Sequence, residues 1–583
     1  RFAAFADAFT HHAIALSPSF ATLAGLHQYR DPDTGQSVDL DTELDDFSSQ
    51  AIDTRIRFYQ KSLDTLEHDF PARLLDEQER IDRSMLVSQC RLGLLDLTGI
   101  RSIETNPTVA VEAIGTALFF PVVLEYAPPA RRGADVVARL RALPRFVEQA
   151  IDAMETSAPI YTEVAIEENS GNRDVIEHAL PTLFPKGSPE EAAFLQARGP
   201  ALAAIDRLGT FLEDDLKDRS TGDWRLGPDR YRDKLRDSFQ DPDLDPVLVL
   251  RDAEAQMLRV RAEMMRLALP LHQEWFPSHG DHSGMTDPEA RTNTVVLEVL
   301  ERIGRDHVAR GDLFKAIHDD LDRIAAFLDS HAIVSMTRHD TLTVIETPPF
   351  LRGIYSVAGL NPAPPLDPSL RSFFYVTPIP DDWSEAKVES KLREYNNDKL
   401  LLLSLHEGMP GHYTQLEYAN RVQPEWRRLV RSVYGNNAYI EGWAQYAEEV
   451  MLQAGIVDPD DPKMRLTFLK EELRVLANAI LDIRLHTLGM TDDEAMALMT
   501  QRAFQESQEA EGKLRRAKLS SAQLPTYYIG WRDWRRLRHD AEAARGASFD
   551  LRAFHDQVLS QGAIPMSALR HLMLPGEKAP ASY

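Results

Sequence analysis

The motif that most restricts the folding of this chain places two histidines on either side of a helix-breaking pair. It reads His406-Glu407-Gly408-Met409-Pro410-Gly411-His412. An α-helix turns by about 100° per residue, so a step of six residues rotates a side chain by about 240°, away from the face on which it started. Proline removes a backbone donor, and glycine accepts unusual dihedral angles. We therefore predict a helix that is broken or bulged at 409–411, which would bring His412 back beside His406.

An acidic helix is predicted over residues 436–455. Apolar side chains recur there at steps of three and four residues, and Gly455 is a suitable residue to end the helix. Glu441 and Glu448 lie on another face of this helix. Glu441 is the predicted third metal ligand, whereas Glu448 is either an alternative ligand or a partner that orients a ligating histidine. The alternative interpretation is an acidic helix face exposed to solvent.

Two histidines and one carboxylate form the protein ligands of many catalytic zinc sites, which keep one position for water. The sequence therefore predicts one zinc ion held by His406, His412 and Glu441, for which Mn²⁺ or Co²⁺ could substitute. Glu407 is the predicted general base that takes a proton from the water. The alternative is that both histidines are ordinary helix residues.

The sequences HEGMPGHYTQ at 406–415 and YIEGWAQYAEE at 439–449 resemble the signatures HExxPGHHxQ and EGWAxYxE of the domain of unknown function 885 family. This is a bacterial family of predicted zinc peptidases. The resemblance extends to residues 348–350, 371–376, 479–490 and 525–530, and more weakly to 139–144 and 231–239, so it spans most of the chain. Two residues depart from the pattern. Tyr413 stands where the family often has a second histidine, and Thr377 stands where it often has asparagine.

That family resembles the carboxypeptidase Taq and thimet oligopeptidase groups, which are all-helical zincins. The resemblance implies an all-α fold, that is, a mainly helical, two-lobed body with a deep channel and a small β-sheet near the metal site. It also implies hydrolysis of peptide bonds, with carboxypeptidase- or oligopeptidase-like action on short peptides. Tyr527, the tyrosine of the family's SYxxG segment, is the expected hydrogen-bond donor to the oxyanion, with Tyr528 as second choice and His486 assisting.

Other functions stay open on the sequence alone. A zinc-dependent hydrolase of a non-peptide amide or ester would use the same metal residues, and a helical binding protein could keep a vestigial metal site. Glu407 argues against the binding protein, which needs no general base. A carboxypeptidase would also need a cation for the substrate carboxylate, and the bidentate guanidinium suits that role. The candidates are Arg352, Arg484, Arg515 and Arg516.

Residues 341–345 and 373–377 are rich in β-branched and aromatic residues and predict two or three short strands. We expect Phe373–Thr377 to form a sheet edge on which an extended peptide can pair, with an ordinary hairpin as the alternative. The remainder predicts helices, including one over 246–268 that ends before Pro270, with loops at 169–171 and 185–189. The predicted division is an N-terminal helical lobe over 1–235 and a catalytic lobe over 236–583, unless the chain forms one continuous domain.

The loop predicted over residues 275–288 contains a second histidine pair, in the sequence His279-Gly280-Asp281-His282. This pair is a rival metal site, but its spacing matches no strong motif, and we expect no helix to position the ligands. We interpret the segment as a solvent-exposed loop with incidental histidines.

Composition excludes several classes of partner. The formal charge of −26 argues against binding nucleic acid, which needs a basic face. No apolar run reaches the ~18 residues of a membrane span, and the single cysteine, Cys90, is predicted to be a buried core residue. The chain starts at Arg1, so we expect a periplasmic or secreted protein if a signal peptide was removed, and a cytoplasmic one otherwise. The expected partner is a short peptide or other amide, and the oligomeric state is open.

Overall fold

The computed structural model describes residues 1–32, 35–336, 342–347, 358–367 and 371–576. These residues are mainly helical, with two small sheets, which confirms the predicted all-α class with a small β-sheet. Residues 348–350 and Arg352, which the sequence analysis singled out, lie outside the described residues.

The helices within this part of the chain are, in order, α1 Phe2–Ala15, α2 Pro18–Ala24, α3 Ser49–His68, α4 Glu77–Leu94, α5 Ser102–Thr105, α6 Thr108–Val123, α7 Pro129–Ala153, α8 Pro159–Asp174, α9 Pro189–Phe211, α10 Pro228–Phe239, α11 Pro246–Trp275, α12 Pro288–Gly304, α13 Leu313–Ser330, α14 Glu385–Glu394, α15 Asn397–Glu407, α16 His412–Ala419, α17 Glu425–Val433, α18 Asn437–Gln453, α19 Pro462–Thr487, α20 Asp492–Ala497, α21 Ser507–Leu519, α22 Pro525–Arg545, α23 Leu551–Leu559 and α24 Met566–Met573. The strands are β1 Gln28–Arg30, β2 Ser37–Asp39, β3 Leu342–Glu346, β4 Ala358–Asn361 and β5 Ser372–Val376.

The chain forms two compact units. The first contains Arg1–Leu226, Ala363–Leu370 and Val422–Tyr434, and the second contains Gly227–Pro362, Arg371–Arg421 and Gly435–Tyr583. The first division therefore falls inside residues 221–227, which belong to no helix or strand, and two short segments from the later part of the chain return to the first unit.

In the first unit, charge pairing explains why α17 joins helices that lie far away in sequence. Asp82 on α4 is fully buried and accepts hydrogen bonds from Arg427 at 2.6 Å and from Arg431 at 2.7 Å. A buried carboxylate needs such partners, since an unpaired one would cost several kcal/mol. Cys90 is fully buried in the adjoining apolar core, as predicted, and burial raises the pKa of its thiol to about 12.

In the second unit, the small sheet packs on the helix that leads into the histidine motif. Phe374 and Val376 of β5 share a core with Leu321 of α13 and Leu400 of α15. The strand order is β3-β5-β4, with β5 parallel to β3 and antiparallel to β4. The prediction that Phe373–Thr377 forms a sheet edge is therefore wrong, because β5 is paired on both sides and has no free edge for a peptide.

Two local predictions about helix ends are also wrong. Helix α11 continues through Pro270 to Trp275, since Met264, Ala268 and His272 are all fully buried and their packing offsets the lost hydrogen bond. Residues 169–171 belong to α8 rather than to a loop. Asn169 is buried there, and its amide donates to the carbonyl of Ile205 at 3.0 Å, so this turn-favouring side chain bonds to a neighbouring helix instead.

Across the described ranges, no single helix has both the length and the apolar composition to cross a membrane. One pair of helical segments, Glu77–Thr105 and Thr108–Val123, meets that test only when joined, and the two are bent by 87°.

Candidate metal centre

The helix that carries the histidine motif is interrupted where the sequence predicts it. Helix α15 ends at Glu407 and α16 begins at His412. The amide of Gly408 still donates to Ser404 at 3.0 Å, after which the amide of Gly411 donates to Leu405 at 3.1 Å, a longer step than the four residues of an α-helix. The interruption therefore spans 408–411, and the structure confirms the predicted break.

Close backbone approach requires a glycine at position 411. A Cβ atom at this position would overlap the carbonyl oxygens of Leu405 and His406. The loop is also fixed from the side, because the indole of the buried Trp443 on α18 donates to the carbonyl of Pro410 at 2.9 Å. These contacts hold His406 and His412 in one arrangement.

The three predicted ligands converge. The carboxylate Oε2 of Glu441 lies 3.4 Å from Nε2 of His412 and 3.7 Å from Nε2 of His406. The two imidazole rings are 4.7 Å apart between centroids and nearly perpendicular, at 89°. One ligand atom from each residue thus lies within 4.8 Å of the others, which suits a single metal ion.

The contacts of Glu448 decide between the two roles that the sequence left open for it, metal ligand or orienting partner. Its Oε1 lies 2.7 Å from Nδ1 of His406, and the side chain is buried. Because a carboxylate accepts, Nδ1 carries a proton, so Nε2, on the side of Glu441, is the nitrogen left to bind a metal ion. The amide of Gln445 lies 3.2 Å from the same Nδ1. Glu448 therefore occupies the position of a partner that orients a ligating histidine.

The electrostatics of the centre favour a cation. Burial alone would lower the pKa of His406, but hydrogen bonds to Glu441 and Glu448 outweigh it and raise this pKa to about 10. Burial likewise opposes ionisation of Glu441, yet contacts with both imidazoles hold its pKa well below the usual range. The donor set of two imidazoles and one carboxylate, with an excess of negative charge around it, fits Zn²⁺.

Two of the predicted catalytic residues lie beside these ligands. Glu407 is half-buried at the end of α15, and its charge helps to raise the pKa of the adjacent His406. Tyr527, in the first turn of α22, is half-buried as well. The negative charge of Glu441 is the main cause that raises the pKa of the Tyr527 hydroxyl, followed by burial. Tyr527 therefore keeps its proton and can donate it in a hydrogen bond.

The structure places the other two predicted residues elsewhere. The hydroxyl of Tyr528 donates to Asp252 on α11 at 2.7 Å, since consecutive helix residues point about 100° apart. His486 is buried, and its Nε2 lies 2.9 Å from the carbonyl of Ser520, which makes that nitrogen a donor in a structural hydrogen bond. The expectation that Tyr528 or His486 acts on the oxyanion is not supported by these contacts.

Cationic side chains gather near Tyr527. Arg516 on α21 lies 3.5 Å from the Tyr527 hydroxyl, and Arg474 on α19 interacts with it electrostatically. Lys513, one turn before Arg516, is buried, and burial followed by repulsion from Arg474 lowers its pKa to about 7. Of the arginines predicted for a substrate carboxylate, Arg516 lies here, whereas Arg484 pairs with Glu254. Arg474 and Lys513 were not predicted from the sequence.

Helices α18 and α22 cross at two glycines, and this crossing sets the distance between Glu441 and Tyr527. A Cβ atom at Gly442 would overlap the backbone of Gly530, and one at Gly530 would overlap the carbonyl of Ala438. The two backbones are therefore in direct contact. Gly442 follows Glu441 directly, and Gly530 lies one turn after Tyr527.

Fold and site together define a mainly helical protein with a centre of two histidines and one glutamate. The chain belongs to the family described as bacterial protein of unknown function, DUF885, whose model matches residues 18–573. This confirms the family suggested by the motifs.

Two solved structures resemble the whole chain. One is titled as a candidate lipoprotein of unknown function from Shewanella oneidensis; it has 29% identity and a TM-score of 0.80, covering 98% of this chain and 100% of that one. The other is titled as a candidate lipoprotein from Colwellia psychrerythraea; it has 16% identity and a TM-score of 0.78, covering 98% of each chain. No curated protein matches.

Proposed function

We propose that this protein is a zinc-dependent metallohydrolase that cleaves peptide bonds in short peptides. The observation that carries the proposal is the convergence of His406, His412 and Glu441 with Glu407 beside them. A site that only stored or bound a metal would have no use for the half-buried carboxylate of Glu407 next to a ligating histidine.

The protein's own residues have separate tasks in this reaction. When bound, the ion polarises the scissile carbonyl and acidifies a water molecule. Glu407 accepts the proton of that water and passes it to the leaving amine. Tyr527 donates a hydrogen bond to the developing oxyanion, since its proton is retained beside Glu441. Glu448 holds His406 in the tautomer that points Nε2 at the centre.

The cations near Tyr527 support a preference for substrates with a free carboxylate near the scissile bond. Arg516 supplies a guanidinium group 3.5 Å from the Tyr527 hydroxyl, and Arg474, which pairs with Glu471 at 2.7 Å, and Lys513 lie near it. Arginine binds a carboxylate in bidentate geometry, so this cluster can fix the C-terminus of a peptide. We therefore propose carboxypeptidase-like or oligopeptidase-like action rather than cleavage within long chains.

We also propose an extracytoplasmic location, which rests on the description of both similar structures as candidate lipoproteins. Fractionation of cells that express the natural gene tests this. Recovery of the protein in the cytoplasmic fraction would contradict it.

The test of the proposed activity compares the wild type with His412→Ala. The variant is expected to contain one zinc ion fewer per chain than the wild type by elemental mass spectrometry, because a ligand is removed. Both proteins are also given a panel of short peptides, non-peptide amides and esters. The variant should no longer hydrolyse the peptides. Equal zinc content in the two proteins, or a wild type that cleaves esters but no peptide, would contradict the proposal.

The variant Glu448→Gln tests whether Glu448 orients His406 or is itself a metal ligand. Glutamine keeps the shape of Glu448 but weakens its hold on Nδ1 of His406, so the zinc affinity of the centre should fall by about 10–100-fold. Competition with a zinc chelator measures this. At saturating zinc the variant should regain most of its activity, whereas a permanent loss would indicate that Glu448 has another role.

A further inference from the structure

A second group of metal-binding side chains lies in the same unit, around the loop with the second histidine pair. Its members are His272, His279, His282 and Glu298, and one ligand atom from each lies within 4.8 Å of the others. His272 is in the last turn of α11 and Glu298 is in the middle of α12, so two helices and the loop between them contribute. The expectation that no helix positions ligands for this loop does not hold.

All three imidazoles point at one carboxylate oxygen. Oε2 of Glu298 lies 2.5 Å from Nε2 of His272, 3.3 Å from Nδ1 of His279 and 3.4 Å from Nε2 of His282. A carboxylate oxygen offers about two lone-pair positions, so three nitrogens exceed what it accepts in good geometry. Zinc–nitrogen bonds of 2.0–2.1 Å in a tetrahedron place ligand atoms roughly 3.3 Å apart, which two of these distances match.

The loop is held in position by contacts other than the histidines. Arg291 on α12 donates to the carbonyl of Asp281 at 3.0 and 3.1 Å, and Arg302 on α12 stacks on Trp275 with its guanidinium carbon 4.9 Å from the ring centroid. His282 has a φ of +53°, in the left-handed region that non-glycine residues rarely adopt. Such backbone conformations persist where the surroundings impose them, and they are frequent at ligand-binding positions.

The group is closed on one side and open to solvent on the other. His272 is fully buried, whereas the side chain of His279 is 48% exposed, so an ion can enter from the loop side.

We propose that His272, His279, His282 and Glu298 form a second, closed zinc site that fastens the loop 276–287 to α11 and α12. Four protein ligands leave no position for water, which is the arrangement of structural rather than catalytic zinc sites. Three imidazoles and a carboxylate favour zinc or another late divalent transition metal over magnesium or calcium.

The experiment is zinc stoichiometry of the full chain after chelator treatment and dialysis against Zn²⁺. The wild type should bind two ions, and His279→Ala and Glu298→Gln should each bind one. His178→Ala is the matched control, because it removes a histidine from an exposed Asp-Glu-His group on another part of the chain, and it should still bind two. Unchanged stoichiometry in His279→Ala and Glu298→Gln would overturn the second site.

The two metal sites can be tested independently with His412→Ala as background. This variant should bind one ion, and addition of zinc should raise its melting temperature, because an ion that binds only the folded state stabilises it. In His279→Ala/His412→Ala both the ion and the shift should be absent. If His279→Ala loses an ion while His412→Ala does not, the second site stands and the proposed function fails; the reverse result overturns the second site alone.

Discussion

Replacing Glu407 by glutamine is expected to lower peptide hydrolysis by about 10²–10⁴-fold, the usual contribution of a general base. Glutamine has nearly the same shape as glutamate but cannot accept the proton of the attacking water. Because Glu407 ends α15 and is not one of the converging ligands, the zinc content should equal that of the wild type. The loss should appear in kcat rather than in KM, since substrate contacts stay in place.

A matched control is Glu389→Gln, which makes the same chemical change on α14. The Glu389 carboxylate is 49% exposed and lies 3.4 Å from His307, away from the converging ligands. The peptidase activity of Glu389→Gln should match that of the wild type. If Glu407→Gln keeps more than about a tenth of the wild-type kcat with zinc bound, Glu407 is not the base and the assignment fails.

The convergence of His406, His412 and Glu441 could be predicted from sequence because the information is local. The proline and glycine between His406 and His412 already require a broken helix, and the structure shows that break at 408–411. The helix α18 was also predicted to within a few residues, since its apolar side chains follow the helical period. Glu441 could then be placed by its face on that helix.

Features that depend on residues far apart in sequence could not be predicted in this way. Strand β5 has the composition of any short strand, and whether it lies at the edge or the centre depends on partners that come earlier in the chain. The pair His279 and His282 was considered and set aside as incidental, and the two residues that complete the group were missed for the same reason. Its carboxylate, Glu298, belongs to the next helix, and its buried histidine, His272, follows Pro270, where the sequence predicted that α11 had ended.

The sequence also could not decide between Tyr527 and Tyr528 as the hydrogen-bond donor. The two residues are neighbours in sequence and equally able to donate a hydrogen bond, so only the rotation of α22 decides which one faces Glu441. That rotation depends on how α22 packs against α18. The packing is controlled by Gly442 and Gly530, whose place in the two sequence motifs gave no indication that they contact each other.

Gly530→Ala is therefore expected to reduce the free energy of unfolding by about 3 kcal/mol or more, at or above the upper end of the range for overpacked cores. The added methyl group would overlap the carbonyl of Ala438, and backbone atoms cannot move aside as a flexible side chain would. The helices must separate, which also moves Tyr527 away from Glu441. Urea unfolding followed by tryptophan fluorescence measures the loss, because Trp443 and Trp534 lie at this crossing with ring centroids 5.1 Å apart.

Gly512→Ala is the matched control for this prediction. Gly512 is also inside a helix, α21, but a Cβ atom there would meet nothing within 4 Å. Alanine has the higher helix propensity, so this variant should be more stable than the wild type by roughly 0.5–1 kcal/mol. The two substitutions are chemically identical. If they change the free energy of unfolding in opposite directions, the loss in Gly530→Ala comes from the backbone contact. A Gly530→Ala protein as stable as Gly512→Ala would mean that α18 and α22 do not touch, and the position of Tyr527 beside the metal centre would then have no structural basis.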